Sequence, residues 1–134
     1  MLFRSLDYNH AEHGWEPDPP PEFTLFYDAF LLWRSRNQWD NRIADRLPAL
    51  FRSAGLAEIS SRVQDEVAER GDPDFSERAG IWAEVIENVG EQVSAAGFCT
   101  NRQIQQAHEA YRHWAGATLV RQTLAMKAVF GVSL

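Results

Sequence analysis

The stretch "RQTLAMKAVFGVSL" near the C-terminus most constrains what this chain can fold into. Leu124, Met126, Ala128 and Phe130 fall on one side of a β-strand, and Ala125 and Val129 on the other. A strand that is apolar on both sides belongs inside a sheet with helices on both faces, which points to an α/β architecture.

The preceding segments supply the helices. Pro17, Pro19, Pro20 and Pro21 hold the backbone out of regular structure. Phe23, Phe26, Tyr27, Phe30, Leu31 and Trp33 then recur at mostly three- and four-residue intervals, which predicts an amphipathic helix from about Glu22 to Asn37. Ile43, Leu47, Leu50 and Phe51 mark a second helix, with Pro48 as a kink or restart and Gly55 as its stop. Leu56, Ile59, Val63 and Val67 read as a bulged strand or a weak helix, and the glycine before them favours a strand around Glu58 to Val67. Asp74 and Glu77 have capping-box spacing ahead of Trp82, Val85, Val89 and Val93. Thr100 and Gln103 repeat that spacing ahead of Ile104, Ala107, Tyr111 and Trp114. Gly80 and Gly90 weaken the first of these two helices by about 1 kcal/mol each relative to alanine, so packing has to support it.

The 134 residues suit one domain. They divide into a strand and Pro-rich loop (1–21), helices followed by a strand (22–67), and helices followed by a terminal strand (68–134). With 13 basic against 19 acidic residues the net charge is −6 and no Lys/Arg run is present, which argues against nucleic-acid or acidic-membrane partners. The sole cysteine, Cys99, has no disulfide partner or metal-binding companion, and neither a signal core nor a membrane-length apolar run is visible. The expected location is the cytoplasm.

The stretches "LDYNHAEHGWEPDPPPEFTLFYDAFLLWR", "DNRIADRLPALFRSAGL" and "RGDPDFSERAGIWAEVIENVG" resemble the C-terminal half of a class I S-adenosylmethionine-dependent methyltransferase of the small-molecule type. The resemblance implies a partial doubly wound sheet with covering helices. Leu6 and Asp7 would end the fifth strand, Leu50 to Leu56 would lead into the sixth, and Lys127 to Gly131 would lie in the seventh, antiparallel strand. It also implies S-adenosylmethionine as the cofactor of an intact family member and a small-molecule methyl acceptor. The glycine-rich turn that lets backbone approach such a donor is missing, so the isolated chain is expected to be inactive and to bind no donor. A homodimer, or association with the missing N-terminal half, would cover the sheet's exposed edges.

Within that resemblance the polar loop after the first strand faces the acceptor. Tyr8 and Asn9 are candidate acceptor-orienting residues, His10 and His13 candidate proton acceptors, and Asp7 a candidate cofactor ligand. On the aromatic helix, Tyr27, Phe30 and Trp33 are candidates to close over an apolar acceptor and Arg34 to anchor an acidic one. Two further readings stand beside the enzyme: a non-catalytic binding or regulatory protein, and an obligate homo-oligomeric assembly module. No metal site is expected, since His108 and His113 lack ligand spacing and cysteine companions.

Overall fold

The computed structural model describes residues 1–134 and divides into two compact units, each assembled from separated stretches of chain. The first comprises Met1–Gly14, Asp40–Val67 and Thr123–Leu134, and the second Trp15–Trp39 and Ala68–Gln122. The chain is α/β, with two three-stranded sheets and five α-helices.

In the first unit, β1 (Leu2–Tyr8), β3 (Ala57–Val63) and β6 (Met126–Val132) form a sheet of order β1–β6–β3. β6 runs antiparallel to both neighbours, so β1 and β3 point the same way. The apolar two-sided pattern of β6 accordingly finds a central place, with Met126, Ala128, Val129 and Gly131 all buried. Helix α2 (Ile43–Ser53) packs on all three strands and buries Ala44 and Leu47. Gly131 permits its close approach: a Cβ there would stand 2.9 Å from the Phe51 ring and 3.2 Å from Leu56 Cβ.

The two edges of this sheet differ. β3 carries a register irregularity between Ala57 and Ser60, Glu58 at φ +52°, and the polar side chains of Ser60, Ser61 and Arg62, features that discourage further pairing. β1 pairs without interruption from Leu2 to Tyr8. Asn9 N–H donates to Ala125 C=O and Ser133 N–H to Met1 C=O, so the odd-numbered residues bond to β6. The N–H and C=O groups of Leu2, Arg4 and Leu6 therefore face the open side. The side chains of Leu2 and Leu6 are 68% and 42% exposed.

The second unit is mostly helical: α1 (Pro21–Arg36), α3 (Phe75–Ala79), α4 (Ile81–Ala95) and α5 (Asn101–Ala117). A second sheet has order β2 (Gly14–Glu16), β5 (Arg121–Leu124) and β4 (Glu66–Glu69). Trp15, Phe23, Tyr27, Phe30 and Trp82 join ring to ring, with Trp15–Tyr27 and Tyr27–Trp82 centroids both 5.2 Å apart. Tyr111 extends this core, 4.6 Å from Phe23, and its buried hydroxyl donates to Ala79 C=O at 2.5 Å. Arg70 closes the end of α5, donating to the carbonyls of Ala115 and Leu119 at 3.0 and 2.7 Å.

Several expectations from the sequence need correction. The single helix read across 74–97 is two, because Gly80 ends α3 and begins α4; Asp74 occupies the N-cap position, but its side chain makes no capping bond. Asp72 instead accepts from Glu69 N–H at 2.9 Å, which stabilises the turn before α3. The terminal strand is interrupted at Ala125 into β5 and β6, and the strand around 58–67 is interrupted at Gln64 and Asp65. Pro48 lies inside an uninterrupted α2, with no restart. The Thr100–Gln103 capping box forms in both directions, at 3.1 and 2.9 Å. No helix is long and apolar enough to cross a membrane.

Gly90 shows why a helix-weakening residue sits in α4. A Cβ there would lie 2.7 Å from Ile104 Cγ2 of α5, a branched atom with little freedom to withdraw. Gly90→Ala should gain about 1 kcal/mol of helix propensity and lose about 1–3 kcal/mol to overpacking, for a net destabilisation in urea unfolding. In an Ile104→Ala background the clash is gone and the same substitution should become neutral or stabilising.

Candidate functional site

The first unit gathers its polar side chains where β1 ends and β6 begins. Asp7 Oδ1 accepts the N–H of Tyr8 at 2.8 Å, which satisfies one edge donor at the end of the strand. Asn9 follows, 1% exposed, with its N–H on Ala125 C=O at 2.9 Å. Its Nδ2 donates to Asp45 Oδ1 at 2.9 Å, and Lys127 Nζ donates to the same oxygen at 2.5 Å. The 3-10 turn His10–Glu12 then brings His10 and His13 together, with His13 Nε2 3.2 Å from His10 Nδ1. The Tyr8 ring lies against both imidazoles, at 5.9 and 5.8 Å between centroids. An Arg42–Glu12 ion pair and a bond from Ala11 N–H to Asn41 C=O fasten the outer side of this turn.

The electrostatics follow from these contacts. Hydrogen bonds from Lys127 and Asn9 hold the Asp45 carboxyl below its ordinary range, and Asp45 in turn raises Lys127. Burial, reinforced by the hydroxyl's 2.7 Å bond to Glu66 Oε1, pushes the Tyr8 phenol up to about 12. Tyr8 is thus a fixed donor to Glu66. Met126 N–H donates to Asp65 Oδ1 at 3.1 Å, so β3's end is tied to the start of β6 beside the cluster.

Among the residues expected from the sequence, Asp7, Tyr8, Asn9, His10 and His13 are brought together in this cluster. Asp7 spends one carboxylate oxygen on the adjacent amide, the local role available to any loop aspartate. The other group belongs to the second unit. Tyr27 and Phe30 are core residues there, and burial raises the Tyr27 phenol. Trp33 and Arg34 are half-buried: Trp33 meets Trp39 edge-on at 5.2 Å, and the Arg34 guanidinium lies 5.8 and 5.7 Å from the Phe30 and Trp39 rings. His108 pairs with Glu87 at 2.8 Å, and no three or more His, Cys, Asp and Glu side chains gather to hold a metal ion. The Cys99 thiol is raised by burial.

Asp45, Lys127 and Ala125 were not anticipated. Lys127 carried a signal, being the chain's only lysine and lying inside an apolar strand. Asp45 and Ala125 carried none, since their role depends on contacts between residues 36 or more positions apart.

No protein-family model matches the chain, and no curated protein matches it.

All three tyrosines have raised phenol pKa values, each with burial as the largest cause. The folded chain should show almost no phenolate absorbance at about pH 10, where an ordinary tyrosine is half ionised. The sign is that of an acid kept neutral by folding: its stabilisation is complete below the ordinary phenol range and is lost as pH rises above it. Alkaline unfolding should release all three phenolates together, and a phenolate titrating near pH 10 in the folded chain would contradict the assignment.

Proposed function

We propose that this chain is the acceptor-side part of a class I S-adenosylmethionine-dependent methyltransferase acting on a small molecule, and that it is inactive in isolation. The observation that carries the reading is the direction and place of β6. The strand matched to the seventh of such an enzyme runs antiparallel, between the strands matched to the fifth and sixth. The polar cluster also lies beyond the C-terminal end of β1, the side on which open α/β sheets bind ligands.

The residues present do not fit the methyl donor. A donor cradle needs a glycine turn between a strand and a helix, where backbone can approach the ligand and helix amides can face it. After β1 the chain has Asn9, His10 and Ala11; Gly71, at positive φ, stands alone between β4 and the five-residue α3, and Gly55 and Gly97, also at positive φ, follow the ends of α2 and α4. No step of methyl transfer is therefore assigned to this chain. Its contribution is to orient the acceptor through the loop of Tyr8, Asn9, His10 and His13, alignment being the main demand of transfer from a charged sulfonium.

The β1 edge favours a second reading, a homo-oligomer assembled through that strand. Uninterrupted pairing, open backbone groups at Leu2, Arg4 and Leu6, and exposed apolar side chains form a template for another strand. An added donor-binding half would use the same edge.

Two measurements test these readings. Calorimetry with S-adenosylmethionine and S-adenosylhomocysteine should show no binding to the isolated chain; low-micromolar binding, roughly 8 kcal/mol of association free energy, would require a donor site of another kind. The coding sequence upstream of Met1 should continue in frame into a strand and a glycine-rich turn, and an immediate in-frame stop would count against the methyltransferase reading. Light scattering over a dilution series separates the assembly reading, which expects a concentration-dependent dimer or larger species. A persistent monomer would overturn it.

A further inference from the structure

The open edge of β1 is specific about what can pair with it. Leu2, Arg4 and Leu6 each turn a backbone N–H and C=O away from β6. Tyr8 would be the fourth such residue, but Asp7 Oδ1 already takes its N–H at 2.8 Å, so the edge closes there. The side chains follow the same order. Leu2 and Leu6 are exposed and apolar, and they stand two residues either side of the exposed Arg4. Bonding groups and polarity are therefore both symmetric about Arg4.

On the assembly reading, we propose that two copies of the chain form a closed two-fold dimer, their β1 strands paired antiparallel about Arg4 with Leu2 opposite Leu6 of the second copy. This fixes what that reading leaves open: the symmetry, the register and the number of copies. Only the register centred on Arg4 exchanges both backbone bonds at all three open residues, Leu2 with Leu6, Arg4 with Arg4 and Leu6 with Leu2. Centred on Phe3, the ladder leaves Leu6 unpaired. Centred on Ser5, it sets Leu2 against Tyr8, whose N–H is spent on Asp7. A slip by a single residue would oppose open groups to groups already bonded to β6.

The side chains agree with this register. Leu2 lies beside Val132 and Leu6 beside Ala128, on the face away from α2, so each Leu2–Leu6 contact joins the apolar rows of the two copies. Growth stops at two because the other edge, β3, is irregular between Ala57 and Ser60 and carries Ser60, Ser61 and Arg62. Arg4 opposes the association, since two guanidinium groups meet on the axis as like charges directly opposite.

Cysteine cross-linking in a Cys99→Ser background reads the register. A hydrogen-bonded pair on the axis has Cα atoms about 5.5 Å apart, within disulfide reach, whereas positions offset by two residues are about 7–8 Å apart. Arg4→Cys should join two chains about tenfold faster in a glutathione buffer than Phe3→Cys or Ser5→Cys. Arg4→Thr, which removes the like-charge contact, should tighten the dimer several-fold in sedimentation equilibrium. In the unaltered chain, the amides of Leu2, Arg4 and Leu6 should gain exchange protection as concentration rises, while those of Phe3, Ser5 and Asp7 stay protected throughout. A dimer that cross-links fastest at Phe3 or Ser5, or that Arg4→Thr fails to tighten, would overturn the register and leave assembly through β1 standing. Growth beyond two copies would overturn the two-fold closure, and a monomer at every concentration would overturn the dimer and the assembly reading together.

Discussion

The central position of β6 is the constraint on which the first unit depends. A strand with apolar side chains on both sides has to sit inside a sheet, and β6 receives β1 on one edge, β3 on the other and α2 against it. It pairs with strands from the two other stretches of chain that make up the unit. Gly131 then admits Phe51 and Leu56 against its backbone, and Lys127, on the same strand, reaches Asp45 on α2. One strand thus supplies core packing at its far end and a charged contact near its start.

The cluster beyond β1 is a consequence of where that strand begins. One residue earlier, at Ala125, the ladder stops being strand-to-strand and becomes strand-to-loop. The two backbone bonds of Ala125 hold Asn9 and His13, while Asn9 in turn reaches Asp45, the oxygen that Lys127 also shares. Loop, helix and strand are therefore cross-linked by short polar contacts about a buried asparagine. Such networks fix side-chain direction more than they add stability, because the Asp45–Lys127 pair is about one-third exposed and worth about 1 kcal/mol or less.

Periodicity made much of the secondary structure legible. The aromatic spacing of 23–33 predicted α1 within a residue at each end, and the Thr100–Gln103 box forms as written. Two-sided apolarity correctly placed 126–132 inside a sheet. What failed was punctuation: the break at Ala125 replaces strand bonds by bonds to residues more than a hundred positions away, and the Asp74 side chain makes no cap although its spacing fits one. At the candidate site, residue types identified Asp7, Tyr8, Asn9, His10 and His13, but the bonds that hold Asn9 and His13 were not legible. Those run to the backbone of Ala125, which has no side-chain signature. The α/β class follows from the chain itself, whereas the methyltransferase assignment remains a proposal supported by strand direction.

Amide hydrogen exchange along β1 tests the arrangement most directly, since one strand has to be protected on one side and open on the other. Phe3, Ser5 and Asp7, whose amides face β6, should exchange slowly, whereas Leu2, Arg4 and Leu6, whose amides face the open side, should exchange at rates near those of an unprotected chain. An alternation of slow and fast amides is the expected result for a dilute monomer. Uniform protection from Leu2 to Tyr8 under those conditions, or fast exchange at Phe3, Ser5 and Asp7, would contradict the β1–β6–β3 order with an open β1 edge.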